Sequence, residues 1–132
     1  MGPAQKVKSV DTNILVRLIA DVDSAQTDAA RDIVDAGVHI PLTVLLELGW
    51  TLRSIYGFGR EQLNAAFVGL IDNNSIHIDD EPAVRIAVDL HRKGADIADV
   101  FHLVAARGSE AFVTFDKRVP DATDIGVIVE RV

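Results

Sequence analysis

Four acidic residues stand at positions of this chain where they could do chemistry. Asp11 follows the first apolar run, Glu47 interrupts "TVLLELGW", Asp99 lies in "ADIADVFHLVAA", and Asp116 follows "AFVTF". Carboxylate oxygens suit hard cations such as Mg²⁺ and Mn²⁺, whereas zinc prefers His or Cys. The chain has no cysteine, which excludes disulfides, thiolate metal sites and cysteine nucleophiles. The four acids therefore predict a site for a hard cation.

Three of these acids also have simpler explanations. Asp11 and Asp116 would serve as caps, because Asp accepts bonds from the unpaired N–H groups where helices begin. Glu47 needs a partner or a cation if it is buried, since an unpaired buried charge is very costly. Helical angles place it about 100° from the apolar stripe of its helix, so an edge position with the carboxylate in water stays open.

The segment around Asp99 carries two acids one turn apart. Asp96 is explained as an N-cap or first-turn residue next to Gly94, whereas Asp99 in the second turn gains less from the helix dipole. Like charges at this spacing repel slightly, so local stability does not select the pair. Asp99 is therefore the better candidate for a metal ligand. The apolar stripe of this helix, expected to face the core, comprises Ile97, Val100, Phe101 and Val104.

Short β-branched runs alternate with longer segments of helical spacing, which is typical of a parallel α/β sheet. Strands are expected in residues 6–10, 38–40, 75–78, 111–115 and 126–132. Helices are expected in residues 13–20, 24–36, 43–55, 60–74, 79–94 and 95–108. The third helix should bury Val44, Leu48, Leu52 and Ile55. Asp11 and Asp116 then fall at the carboxyl ends of strands, where ligands of such sheets bind.

Length and composition limit the class of protein. The 132 residues predict a single domain over 1–132, and 48% hydrophobic with 25% charged residues exclude a disordered chain. No apolar run reaches a membrane span, and "MGPAQKVKSV" lacks the apolar core of a signal peptide, so we expect a cytoplasmic protein with no membrane partner. The net charge of −7 argues against broad electrostatic binding to nucleic acid, so any RNA contact must be local.

The histidines show no spacing typical of a metal site. His39, His77, His91 and His102 are therefore expected on the surface or in strands. His102 follows Asp99 by one turn, which allows it to lie behind the metal ligands.

Four segments together resemble the PIN domain nucleases and, within them, the VapC-type toxins of toxin–antitoxin modules. They are "VDTNILVRL", "PLTVLLELGWTLRSIYG", "DIADVFHLVAA" and "VTFDKR", in the order and spacing of that family. The resemblance implies a PIN-like three-layer α/β/α sandwich around a short, mainly parallel sheet of four to five strands.

The resemblance also implies an activity, a metal endoribonuclease that uses Mg²⁺ or Mn²⁺ to activate water against an RNA phosphodiester. Its acids fall on Asp11, Glu47, Asp99 and Asp116, with Asp11 and Asp99 the first choices as direct ligands. Supporting positions fall on Asn13, Thr43 and Thr114. Asp96 matches a position that is acidic in some relatives, and its role stays open.

Contacts to substrate and partners are less marked in the sequence. Candidate RNA-backbone contacts within or near the motifs are Arg17, Arg53, Lys117 and Arg118. Leu46 and Trp50 lie one turn apart, turned away from the core stripe. They are either buried on a second side of the helix or form an interface for a homodimer or for the amphipathic helix of an antitoxin, both of which the resemblance also suggests.

Other classes fit the residues less well. A phosphoacceptor receiver needs an acidic pair after the first strand, and a haloacid-dehalogenase-type hydrolase needs a second Asp where this chain has Asn13. Two alternatives within the resemblance stay open. One is an RNA-processing nuclease without an antitoxin, and the other is a scaffold that binds RNA or protein without cutting.

Overall fold

The computed structural model describes residues 6–20 and 25–132. The six helices of these residues are α1 Thr12–Ile19, α2 Ala25–Asp35, α3 Leu42–Ser54, α4 Arg60–Asp72, α5 Glu81–Arg92 and α6 Ile97–Ala105. The strands are β1 Lys8–Ser9, β2 Val38–Ile40, β3 Ile76–Ile78, β4 Phe112–Thr114 and β5 Val129–Arg131, with a 3₁₀ turn at Thr123–Ile125. The α/β alternation is confirmed, whereas Ser24, the expected cap of α2, lies outside the described residues.

All strand pairs in the described residues are parallel, but they form two ladders. β2 lies between β1 and β3, and β4 pairs separately with β5. The expected α/β fold with short parallel strands is confirmed, and its five strands are divided between a ladder of three and a ladder of two. Each strand is only two or three residues long and supplies few backbone hydrogen bonds.

The two faces of the three-stranded sheet differ in polarity. Val38, Ile40 and Ile78 point into the core, where each is at most 5% exposed. The alternate positions align Ser9, His39 and His77 in register across the strands. Period-two alternation thus places the apolar set of these strands against the helices.

Helix α3 buries a slightly different stripe from the expected one. Leu45, Leu48 and Leu52 are buried, whereas Ile55 is 64% exposed. Ile55 is the residue that follows the last helical position, Ser54, so it extends past the core contact. Val44 is only half-buried.

Helix α6 packs closely against α3 and confirms the predicted stripe. Ile97, Val100, Phe101 and Val104 are each at most 3% exposed. Gly49 of α3 permits this approach, since a Cβ atom built there would lie 3.2 Å from Ile97 Cγ2. The first turn of α6 is thereby held beside α3, the helix that carries Glu47.

One histidine departs from the expectation of a surface or strand position. His91 of α5 is only 3% exposed. The amide of Asn64 donates to its Nδ1 at 3.0 Å and to the Val88 carbonyl at 2.8 Å. The hydrogen bond between Asn64 and His91 offsets the cost of burying these two polar side chains.

Among the helices of residues 6–20 and 25–132, none has both the length and the hydrophobicity that a membrane span needs.

Candidate metal and nucleic-acid site

Two of the four predicted acids, Asp99 and Asp116, line one polar cavity of about 440 Å³ together with Asp96. Asp96 and Asp99 come from the start of α6, and Asp116 comes from the loop after β4. The cavity also contains two arginines, Arg60 and Arg118. Carboxylates and guanidinium groups therefore face the same space.

Asp96 caps α6, as the sequence predicts. Its Oδ2 accepts bonds from the backbone N–H of Ala98 at 3.0 Å and of Asp99 at 3.2 Å, and its Oδ1 accepts from Arg53 at 3.2 Å. Burial alone would raise the pKa of Asp96, but the hydrogen bonds from Asp99, Arg53 and Ala98 together with the Arg53 charge lower it. Asp96 thus accepts three hydrogen bonds from the protein, which favour its ionised form.

The environment of Asp99 shifts its pKa in the opposite direction from that of Asp96. Burial and the negative charges of Asp96 and Asp116 raise the pKa of its carboxyl above the usual value, against weaker opposing effects of His102 and Arg118. The Asp99 carboxylate is half-buried beside two others of the same sign. A cation at this point would relieve the repulsion.

Asp116 is held in a tight turn by its neighbours. Its backbone N–H donates to Thr114 Oγ1 at 2.9 Å, which places Thr114 in direct support of this acid. Arg118 donates to the carboxylate through its backbone N–H, Nε and Nη2 at 2.8, 3.1 and 3.2 Å. The hydrogen bonds and charge of Arg118 lower the pKa of Asp116.

The other two predicted acids, Asp11 and Glu47, lie on α1 and α3. Asp11 caps α1, accepting the Ile14 N–H at 3.4 Å. The buried hydroxyl of Thr12 donates a hydrogen bond to Glu47 Oε1. Glu47 is exposed, so its expected edge position is the one found. Its partner is Thr12, which the sequence argument did not single out although it directly follows Asp11.

The structure therefore brings the acids together in two groups, not in one cage. Asp96, Asp99 and Asp116 share a cavity, and Thr12 joins the start of α1 to Glu47. Within residues 6–20 and 25–132, no three acidic or histidine side chains are placed as a ready metal centre. The donor chemistry still fits a hard cation, because the cavity offers carboxylate oxygens and the Asp99 carboxylate is repelled by its neighbours.

His102 lies near members of both groups of acids. It faces Asp99 closely enough to affect its titration, and it lines a second cavity of about 470 Å³ together with Glu47 and Thr43. This second cavity lies between α3 and α6 and is mainly apolar, with Leu46 and Trp50 on its wall. Trp50 is 56% exposed, so it is not buried on a second side of α3.

The predicted basic contacts are divided between the sites. Arg53 and Arg118 lie at the acids, each in an ion pair. Arg17 lines a different cavity, between α1 and α2, together with Asn13. Lys117 is exposed beside Asp116.

The arginine at the acidic cavity that sequence reasoning missed is Arg60. It is the first residue of α4, and its place in the cavity depends on how α4 packs against α5. The residues around Arg60, including the preceding "YGFG", do not predict that its side chain lines this cavity.

Asp116 follows β4, and Asp96 and Asp99 lie at the start of α6, so the cavity is at a position where parallel α/β folds bind ligands. The model of the PIN domain family matches residues 8–125, and the chain belongs to this family. PIN domains are in general metal-dependent nucleases, and PIN nucleases act on nucleic acid. No curated protein and no solved structure matches the chain.

Proposed function

We propose that this PIN domain protein is an endoribonuclease that uses Mg²⁺ or Mn²⁺ to hydrolyse RNA phosphodiester bonds. The observation that carries the proposal is the environment of Asp99, a carboxylate placed against two others in a polar cavity. Such an arrangement is costly in isolation and becomes favourable when a divalent cation binds.

Asp99 and Asp116 would hold the cation in the cavity. Asp11 at the start of α1 and Glu47 on α3 do not line this cavity, and we propose them as further carboxylates of the catalytic site. When bound, the ion supplies charge neutralisation and a water of lowered pKa. Asp96 acts behind Asp99, because its Oδ2 fixes the backbone N–H groups at the start of α6. Thr114 and Thr12 orient Asp116 and Glu47 through the hydrogen bonds described above.

We further propose that the protein is the toxin of a toxin–antitoxin module and forms a homodimer in the cytoplasm. The apolar cavity between α3 and α6 supports a protein partner, because Trp50 is largely exposed beside Leu46. Exposed aromatic side chains on an apolar patch are common at protein interfaces. Its wall includes Glu47, so an antitoxin helix seated there would also cover one of the proposed catalytic acids.

Cleavage of an RNA panel by purified protein tests the proposed activity. Wild-type protein should cut RNA with Mg²⁺ or Mn²⁺ and stop when EDTA is added. Asp99→Asn should lose at least about 100-fold in rate, as expected when a group acting in metal catalysis is removed. Asp28→Asn is the matched control, since Asp28 is an exposed acid on α2.

A scaffold that binds RNA or protein without cutting it is the second candidate. The net charge of −7 and the ion pairs that occupy Arg53 and Arg118 favour it. Equal cleavage by wild type and Asp99→Asn would point to a contaminating nuclease and favour the scaffold. Loss of cleavage in Asp99→Asn alone would exclude it.

A further inference from the structure

The arginines around the acidic cavity are not equivalent. Arg53 is paired with Asp96, and Arg118 is paired with Asp116 through Nε and Nη2. The Nη1 of Arg60 donates to the His91 carbonyl at 2.6 Å and to the Ala95 carbonyl at 2.8 Å. Among the described residues, no carboxylate forms an ion pair with Arg60, so its charge faces the cavity without a paired anion.

The two carbonyls fix Arg60 at a defined place. They belong to the end of α5 and to the turn before Asp96, and they engage a single nitrogen of the guanidinium group. The remaining N–H groups, on Nε and Nη2, donate no hydrogen bond to another described residue. Arginine presents its donors in a rigid fork that matches the oxygens of a phosphate. An arginine anchored by one nitrogen is therefore already oriented for an anionic ligand.

Arg60 packs against a buried, hydrogen-bonded pair of side chains. His91 and Asn64 form the buried pair described above, and the carbonyl that Arg60 contacts is the one of His91 itself. The charge of Arg60 contributes to lowering the pKa of His91, after burial, which agrees with their proximity. Arg60 thus contacts a region in which the buried polar side chains of Asn64 and His91 are already hydrogen-bonded.

We propose that Arg60 binds a phosphate of the RNA backbone across the cavity from Asp99 and Asp116, and that it is a substrate-binding residue of the nuclease. This inference rests on the proposed function. A phosphodiester in the cavity would meet a wall of carboxylates, which repels it unless cations lie on the other side. Of the two arginines that line this cavity, Arg60 forms no ion pair with a carboxylate of residues 6–20 and 25–132, whereas Arg118 is paired with Asp116.

Binding of a labelled single-stranded RNA in EDTA, at salt concentrations between about 50 and 200 mM, tests the inference. Arg60→Met should lower affinity roughly tenfold at low salt. It should also reduce the slope of log affinity against log salt by about 0.7, the amount expected for one lost phosphate contact on a single strand. Arg60→Lys keeps the charge and should retain the slope.

Arg92→Met is the matched control for removing one positive charge. Arg92 lies on α5 in an ion pair with Asp89 and does not line the cavity, so it should leave the slope unchanged. Cleavage with Mn²⁺ gives a second measurement, in which Arg60→Met should raise KM with little change in kcat. Thermal unfolding in EDTA records any weakening of the α5–α6 turn separately from RNA binding.

The outcomes separate the inference from the proposed function. If wild type cleaves RNA and Arg60→Met lowers only the melting temperature, with the wild-type salt slope and KM, Arg60 is a structural clamp and the inference is wrong. If wild type neither binds nor cleaves RNA, the proposed function fails and the inference fails with it. A salt slope that is reduced in Arg60→Met but equal to the wild-type slope in Arg60→Lys and Arg92→Met supports the inference, and cleavage by wild type supports the proposed function.

Discussion

Replacing Thr12 by Val tests the contact between α1 and α3. The Thr12 hydroxyl is buried, with the residue 7% exposed, and it donates to the exposed carboxylate of Glu47. Valine keeps the shape and volume of threonine but removes the donor. The hydrogen bond to a charged acceptor is worth about 1.5–3 kcal/mol, and water can replace the lost donor at the exposed Glu47, so we expect a loss of about 1 kcal/mol.

For a chain of 132 residues, that loss corresponds to a fall of about 4 °C in melting temperature, from an unfolding entropy of roughly 2 cal/mol/K per residue. Circular dichroism in EDTA measures the fall without metal binding, and Thr12→Ser, which keeps the donor, is the control. RNA cleavage by Thr12→Val should also decrease, because Glu47 is no longer oriented. A melting temperature and cleavage rate equal to those of wild type would refute the contact and the role given to it.

Three further changes test other parts of the structure. Burial and a nearby guanidinium lower the pKa of His91 in the folded state. As the pH falls, His91 is therefore protonated at a higher pH in the unfolded chain than in the folded protein. The free energy of unfolding should consequently fall as pH drops below roughly 6.5. Urea unfolding between about pH 7.5 and 5.5 should show a shallower dependence in His91→Gln than in the exposed control His102→Gln, and equal slopes would contradict this. Gly69→Ala on the open side of α4 should stabilise by up to about 1 kcal/mol, whereas Gly49→Ala should lack that gain because its Cβ meets α6. Equal melting temperatures for the two variants would contradict the close packing of α3 and α6. Trp50→Ala should lower the oligomer mass in solution or weaken antitoxin binding with little loss of stability, since the side chain is 56% exposed, and an unchanged mass with an intact complex would exclude the interface.

The sequence predicts the fold well because hydrophobic periodicity and helix-end residues are local signals. The α6 stripe is fully buried, and the cap at Asp96 is found where Gly94 and the acid predict it. The pairing of the strands is harder to predict from the sequence, since strands of two or three residues carry almost no periodic pattern. Ile55 fits a helical stripe by spacing alone, but α3 ends one residue before it.

The residues of the candidate site likewise include some that the sequence predicts and some that it does not. Asp116 is predicted by its position after β4, and Asp99 by its place near the start of α6, where it lies in the first turn and not in the expected second turn. Both line the same cavity. Arg60 and Thr12 are not predictable from local sequence, because their partners are His91, Ala95 and Glu47 at separations of about 30 residues or more. Such contacts depend on how helices pack, which no single segment encodes.

Calorimetric titration of Mn²⁺ into the wild-type protein and into Asp99→Asn, with RNA cleavage measured on the same samples, tests whether the acidic cavity is the catalytic metal site. We expect wild type to bind Mn²⁺ and cleave RNA, and the substitution to abolish both, because Asp99 is the carboxylate whose repulsion the cation relieves. Equal Mn²⁺ binding and equal cleavage by the two proteins would contradict the assignment of the acidic cavity as the catalytic metal site.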